Sequence, residues 1–333
     1  MLSGRGRFVA MLYVVAPKMI STFTWFRSRS RDRRELGLNI ARSLLPLPVF
    51  LVIRFLRKGH GYFPNLLFPK TFNEKILAKI LFDRSPLLKT AADKLSARVF
   101  IANKIGGKYL PKLHAVWSSP NSIELDPAWG RVAIKANHGA GFVKLIPNIA
   151  DANLSEVREL AMTWCKLNYG RTYGEWCYRD IEPLVFAEEL IGNGNPDDLF
   201  EYEISCFLGQ PRFLRVIKGV KGNKKCYYAN LQCKDLHILD GETPSLATET
   251  GYQQAPTNFE LMLELAGRIS SDFDMVRVDM YNLNGTIYVG ELTNYHHGGI
   301  IPFHPKGADM DLGRYWERST MTYLPFSHRH SRR

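Results

Sequence analysis

Cysteine is scarce in this sequence and falls into no useful pattern. Only five occur in 333 residues, Cys165, Cys177, Cys206, Cys226 and Cys233. The number is odd and no two stand in C-x-x-C spacing, so neither a disulfide framework nor a zinc site is implied. A reducing, cytoplasmic compartment is expected. Long apolar runs are missing too. FVAMLYVVAP, from Phe8, and LLPLPVFLVI, from Leu44, are each too short to span a bilayer, and Pro46 and Pro48 weaken the second as a spanning helix. Acids are nearly absent from the first sixty positions, where Asp32 and Glu35 face twelve Lys and Arg. That stretch therefore carries ten of the net +12, and the rest of the chain is close to neutral. A nucleic-acid-binding body, which needs a basic face of its own, is thereby excluded.

Basic clusters beside short apolar segments suit a peripheral anchor on anionic lipid, at the inner face of the cell membrane. The alternative for LLPLPVFLVIRFL is a helix packed on the body. The 45% hydrophobic content is that of a globular protein, and no repeat or low-complexity tract interrupts it. PKTFNEKILAKILFD predicts a helix capped by Thr71, with Glu74 closing a capping box. A second amphipathic helix, KTAADKLSARVFIANKI, should stop at Gly106-Gly107. RVAIKA reads as a strand, NLSEVRELAMTWCKLNY as a capped helix, and LVFAEELI as a short strand. EYEISCFLGQPRFLRVIKGV reads as two strands joined at Gly209-Gln210, and FELMLELAGRISSDF as a helix. This mixture predicts an α+β fold with antiparallel pairs.

The segment VRVDMYNLNGTIYVGELTN carries most of the chemistry. Asn284-Gly285 is a type I′ hairpin signal between two β-branched, aromatic-rich runs. Folding back the second run lets Asp279 and Glu291 face each other. Two hard oxygen ligands so placed suit Mg²⁺, with nucleotide phosphates and water completing its shell. Arg277 alternates with Asp279 and can point the same way, toward phosphate. Upstream, Lys135 ends a strand and is followed by Asn137-His138-Gly139-Ala140-Gly141, then Lys144. Glycines let backbone N–H groups approach phosphate, and lysine adds charge. The loop is neither a Walker A loop nor a dinucleotide fingerprint, since the lysine-hydroxyl ending and the third glycine are absent. Phe186 to Ile191 can form an adenine edge, with Glu188 accepting from the exocyclic amine.

Lysine strand, glycine turn, acidic strand end and R-x-D…E hairpin, in that order, resemble the ATP-grasp superfamily. More narrowly, the chain resembles the TupA-like ATP-grasp family, associated with teichuronopeptide and other surface-polysaccharide synthesis. The matching stretches run from PKTFNEKI, at about Pro69, to the DLG of Asp311 to Gly313. The resemblance implies that Lys94 and Lys135 reach nucleotide phosphates and that His138 to Gly141 close over them. It makes Glu188, Glu189, Leu190 and Ile191 the adenine hinge and lets Glu201 or Glu203 hold the ribose. Arg277 becomes the phosphate-side arginine, and Asp279, Glu291 and Thr293 the metal positions. Two departures stand out. The usual E-x-N reads Glu291-Leu292-Thr293 here, leaving Thr293 or Asn294 as the last ligand. A lysine common after the tyrosine of the ribose strand is replaced by Glu203.

The resemblance also implies the chemistry: a carboxylate is phosphorylated by ATP to an acylphosphate, which an amine attacks, with Mg²⁺, arginine, lysine and loop N–H groups stabilising the charge. No protein nucleophile is needed, and no convincing Ser-His-Asp or Cys-His set is present. The expected substrates are a uronic acid or amino acid and an amine acceptor. A kinase or glycosyl-transferring enzyme on the same scaffold, or a non-catalytic nucleotide-binding module, are the rival readings. His296 to Gly299 could face the acceptor, and the cationic KGVKGNKK loop an anionic sugar or the triphosphate. The expected organisation is a basic arm over 1–60, a lysine and glycine-loop subdomain over 61–190, a metal-hairpin subdomain over 191–320 and a basic tail over 321–333.

Overall fold

The computed structural model describes residues 31–192, 200–218, 225–230, 239–240, 256, 258–303 and 307–316. The first apolar run, most of the KGVKGNKK loop and the basic tail lie outside the described residues. Helices α1 (Arg31–Leu44), α2 (Leu47–Leu56), α3 (Phe72–Phe82), α4 (Pro86–Ala92) and α5 (Lys94–Ile105) come first. Strands β1 (Leu113–Trp117), β2 (Val132–Ala136), β3 (Val143–Ile146) and β4 (Val185–Glu189) follow, with α6 (Leu154–Lys166) and α7 (Tyr169–Tyr173) between β3 and β4. They form a four-stranded sheet ordered β1-β4-β2-β3. A six-stranded sheet, β10-β9-β5-β6-β7-β8, uses β5 (Phe200–Phe207), β6 (Gln210–Lys218), β7 (Lys225–Asn230), β8 (Leu239–Asp240), β9 (Met275–Leu283) and β10 (Thr286–Thr293). Helices α8 (Phe259–Ser270) and α9 (Ala308–Tyr315) complete the described fold. All strand pairs given by the ladders are antiparallel, as the sequence predicted.

Local signals do what their chemistry demands. Thr71 Oγ1 accepts from the Glu74 N–H at 3.2 Å, and the Glu74 carboxylate accepts from the Thr71 N–H at 3.0 Å, closing the capping box. Asp93 caps α5, and Gly106, at φ +98°, ends it. Asn284 and Gly285 both have positive φ, as a I′ turn requires.

The large sheet has one apolar face and one largely polar face, and its central strands are buried on both. Val276, Val278, Met280, Ile204, Cys206 and Leu214 pack beneath it against α5 and α8. Alternation therefore leaves residues 201, 203, 277 and 279 on the other face. On β10 the alternation is interrupted. Val289 pairs with Met280, but Glu291 pairs with Asp279, so Gly290 is the extra residue of a bulge. An uninterrupted hairpin would set Gly290 opposite Asp279 and turn Glu291 toward the core. The bulge instead sends Leu292 inward and keeps Glu291 and Thr293 on the polar face. A Cβ at Gly290 would lie 2.8 Å from the Tyr281 ring, so the bulge also needs a residue without a side chain.

The second apolar run is the packed helix, not a lipid-facing one. Phe50, Leu51, Val52, Ile53 and Phe55 of α2 are all at most 5% exposed. Phe50, Leu51 and Phe55 join Phe72, Ile76 and Ile80 of α3 in one core. Each such side chain contributes about 1.5–3 kcal/mol on burial, so residues 47–56 belong to the body rather than to an appended arm. Among the described residues no helix is long and apolar enough to cross a membrane. The small sheet packs Val132, Ile134, Val185 and Ala187 against α6 through Val157, Ala161 and Trp164. Its other face carries Lys135, Glu188 and Val143 toward the large sheet's polar face.

Candidate active site

Arg277 is the hub of the polar face. Its Nε and Nη2 donate to Asp279 Oδ1 and Oδ2, both at 2.6 Å. Nη2 also donates to Thr293 Oγ1 at 3.2 Å and lies 3.3 Å from Glu203 Oε1 and 3.9 Å from Glu291 Oε1. Nη1 donates to His296 Nδ1 at 3.1 Å. Arg215, on β6, donates through Nε and Nη2 to both oxygens of Glu203 and through Nη1 to His297 Nε2. Both imidazoles thus act as neutral acceptors. Burial pulls His296 well below its ordinary pKa, and burial with Arg215 takes His297 down to about 4.

Carboxylates and cations are interleaved across the cluster. Burial lifts Asp279 well above the usual carboxylate range even though Arg277 opposes it. Burial works the same way on Glu203 and Glu291, but arginine and lysine neighbours overcome it and hold both below. Oxygens of Glu201, Glu203 and Asp279 come within 4.8 Å of one another, and Asp279 is the register partner of Glu291. Such hard oxygen donors fit Mg²⁺. Glu201 and Glu203, assigned to ribose on resemblance, therefore sit with the metal-type carboxylates. Glu203 is bound on both oxygens by Arg215, whereas Glu201, two residues nearer the start of β5, accepts from Tyr281 Oη at 3.4 Å.

The lysines arrive from the opposite side. Lys94 Nζ lies 3.9 Å from Glu291 Oε2 and donates to the Gly139 carbonyl at 2.5 Å, tying glycine loop to metal strand. Burial draws its pKa down, with Glu291 opposing. Lys135 Nζ meets Glu188 Oε1 at 2.5 Å, and Arg98 Nη1 meets Glu188 Oε2 at 2.8 Å. Glu188 is thus an internal counterion and not a free acceptor for a purine amine. The next two residues use their N–H groups inside the protein: Glu189 N–H donates to the Lys112 carbonyl and Leu190 N–H to the Arg131 carbonyl, with Ile191 next in the chain.

Three expected residues point elsewhere. Lys144 is opposite Ile134 in the ladder, hence on the α6 side, and pairs with Glu156 at 2.5 Å. His138 is buried, its Nε2 bonded to the Trp164 carbonyl at 3.0 Å, so it anchors the loop from below. Asn294 follows Thr293 by one residue, and its Nδ2 donates to the Leu88 carbonyl at 2.8 Å in the core. Thr293 is on the polar face, its Oγ1 within hydrogen-bond reach of Arg277 and Asp279. Ala140 and Gly141 are exposed at the loop tip. Gly139 admits no Cβ, which would lie 2.5 Å from the Phe142 ring and 2.9 Å from that of Tyr169. Arg98, Arg215 and Glu175 were not anticipated. Arg98 was findable, four residues after Lys94 on the same helix face; the others are joined to the site only by tertiary packing.

Two antiparallel sheets, one offering lysines and a glycine loop and the other a carboxylate-arginine hairpin, define the ATP-grasp class of enzyme. The chain belongs to the TupA-like ATPgrasp family, whose family model matches residues 74–317. Similar solved structures include the ATP-grasp ligase PsnB complexed with minimal precursor, at 11% identity and a TM-score of 0.39. That match covers 72% of this chain and 62% of PsnB, so the chain spans less than two thirds of it. D-alanine–D-alanine ligase from Bacillus anthracis, complexed with ATP, matches at 14% identity and 0.40, covering 71% of this chain and 67% of that one. D-cycloserine synthetase DcsG matches at 9% and 0.39, covering 72% of each. These likenesses concern fold. No curated protein matches the chain.

Proposed function

We propose that the protein is an ADP-forming carboxylate-amine ligase that uses Mg-ATP, and that it builds an amide in surface-polysaccharide synthesis. The observation that carries the reading is the Lys94 bridge. One side chain touches the glycine loop and the metal strand together. Phosphates held there would meet Lys94 and Lys135 from one side and Arg277 from the other. Asp279, Glu291, Thr293 and the Glu201–Glu203 pair would hold Mg²⁺, which supplies Lewis-acid stabilisation of phosphoryl charge. Arg277 and Lys94 would stabilise charge on the transferred group and its acyl acceptor, and the loop backbone would exclude water. Adenine would lie along Glu189 to Ile191. A uronic acid or amino acid is the proposed carboxylate, and the basic N-terminal stretch would bring the enzyme to anionic lipid where glycan intermediates reside.

Thermal unfolding with and without Mg-ATP tests the nucleotide site. Ligand at about 100 times Kd should stabilise the wild type by about 2.7 kcal/mol, and Asp279→Ala and Glu291→Ala should abolish the shift. ADP release with pairs of uronic acids and amines then tests the ligase step. Absence of any wild-type shift would end the reading.

A further inference from the structure

The stretch from Arg57 to Lys70 takes no part in the reaction site, yet its surface is distinctive. Arg57, Lys58 and Lys70 are exposed and basic, Tyr62, Phe63, Leu67 and Phe68 are exposed and apolar, and no acid occurs in it. Leu67 is 52% exposed and Phe68 66%. Single apolar residues scattered on a surface are ordinary, but these four fall between Tyr62 and Phe68 and form a patch. The loop is clasped rather than loose. The Glu74 carboxylate accepts from the Asn65 N–H through Oε1 at 2.7 Å and from the Lys70 N–H through Oε2 at 2.8 Å, drawing both ends together. Inside that clasp Asn65 Oδ1 accepts from the Leu67 and Phe68 N–H groups at 3.2 and 2.9 Å. Pro64 and Pro69 are buried, and Leu66 packs on the core.

Backbone donors are thus satisfied within the loop while two large apolar side chains are held outward. Their exposure to water gains the fold nothing, so the benefit lies in a surface that covers them. An apolar tip flanked by bases alone matches an anionic bilayer, whose acyl region takes Leu and Phe and whose headgroups take Lys and Arg. A second copy of this chain fits less well, because a symmetric contact would set like charges against each other. The base of the loop stands on the segment after the metal strand: His60 Nε2 lies 3.0 Å from the Ile300 carbonyl, and Asn73 Nδ2 donates to the Ile301 carbonyl at 2.9 Å. We propose that the loop from Gly61 to Lys70 inserts Leu67 and Phe68 into an anionic leaflet, with Arg57, Lys58 and Lys70 at headgroup level. This contact rests on the lipid-surface part of the proposed function and adds an anchor on the body to the basic N-terminal stretch.

The test is co-sedimentation of the full chain with vesicles of phosphatidylcholine, alone or mixed with phosphatidylglycerol, for wild type, Leu67→Ser/Phe68→Ser and Lys70→Glu. Wild type should bind the mixed vesicles and leave the neutral ones. The double variant should bind the mixed vesicles at least about tenfold more weakly, and Lys70→Glu should weaken binding by a smaller factor. A double variant that binds as well as wild type overturns the assignment and leaves the basic N-terminal stretch as the anchor. A wild type that ignores mixed vesicles overturns both. Light scattering without vesicles covers the other occupant: a wild-type dimer made monomeric by Leu67→Ser/Phe68→Ser would put a second copy on the patch and overturn the proposal. The substituted side chains are exposed, so every variant should keep the wild-type melting temperature and its Mg-ATP shift. That separates loss of lipid contact from loss of fold, and a wild type without the Mg-ATP shift fails the nucleotide reading alone.

Discussion

Removing the charge of Glu175 should make the protein more stable at alkaline pH. Burial pushes its carboxyl up from 4.5 to about 7, with Arg54 opposing. Between those values the folded chain keeps a proton that the unfolded chain has lost. Stability therefore falls as pH rises through this window and levels off above it. At about 1.4 kcal/mol per pH unit the loss is about 3 kcal/mol. Glutamine matches the protonated acid and carries no such term. Glu175→Gln and wild type should thus be similar in stability near pH 4.5. Near pH 8 the variant should exceed wild type by about 3 kcal/mol, or by about 4 °C in melting temperature for a chain of this size. The assay is guanidinium or thermal unfolding of both proteins across pH 4.5–8. Other titrating groups, including His296, His297 and Cys177, are common to both proteins and cancel in the difference. A difference that stays flat with pH would refute the claim that burial outweighs Arg54 at this carboxylate.

Further outcomes follow from the same geometry. Arg277→Met leaves Asp279 and Glu203 buried without their central partner, at 1% and 4% exposure, and should cost about 3–5 kcal/mol near pH 7 in denaturant titrations, with Mg²⁺ recovering part of it. Deleting Gly290 removes the extra residue and leaves Glu291 opposite Asp279 and Leu292 opposite Val278, so Mg-ATP should still raise the melting temperature, whereas Gly290→Val, whose side chain would meet the Tyr281 ring, should weaken the shift. Lys144→Ala breaks only an outward pair with Glu156 and should leave the Mg-ATP shift unchanged, separating it from Lys135→Ala, which should reduce it. Leu51→Ala, at a fully buried position of α2, should cost about 2–5 kcal/mol, as expected of a core helix and not of a detachable anchor.

The class of fold, the capping box at Thr71 and the hairpin at Asn284-Gly285 were all legible in the sequence. Each depends on a few adjacent residues whose backbone preferences or alternation are strong. Lys94, Lys135 and Arg277 were legible as a set because their order along the chain survives folding. Other features depend on contacts between distant segments. A strand pattern gives the period of alternation but not where a bulge resets it, so the way Glu291 reaches the cleft was decided by Gly290 within the sheet. Whether a polar residue beside the glycine loop points in or out was likewise decided by packing, which turned His138 under the loop and Lys144 onto α6. LLPLPVFLVI reads equally as a membrane-facing or a core segment, because hydrophobic burial has no direction. Only the waiting apolar faces of α3 and the large sheet's neighbours gave it one. Glu203 and Glu188 look like free acids in sequence; arginine and lysine from other strands and helices made them counterions, whereas at Glu175 burial outweighs Arg54.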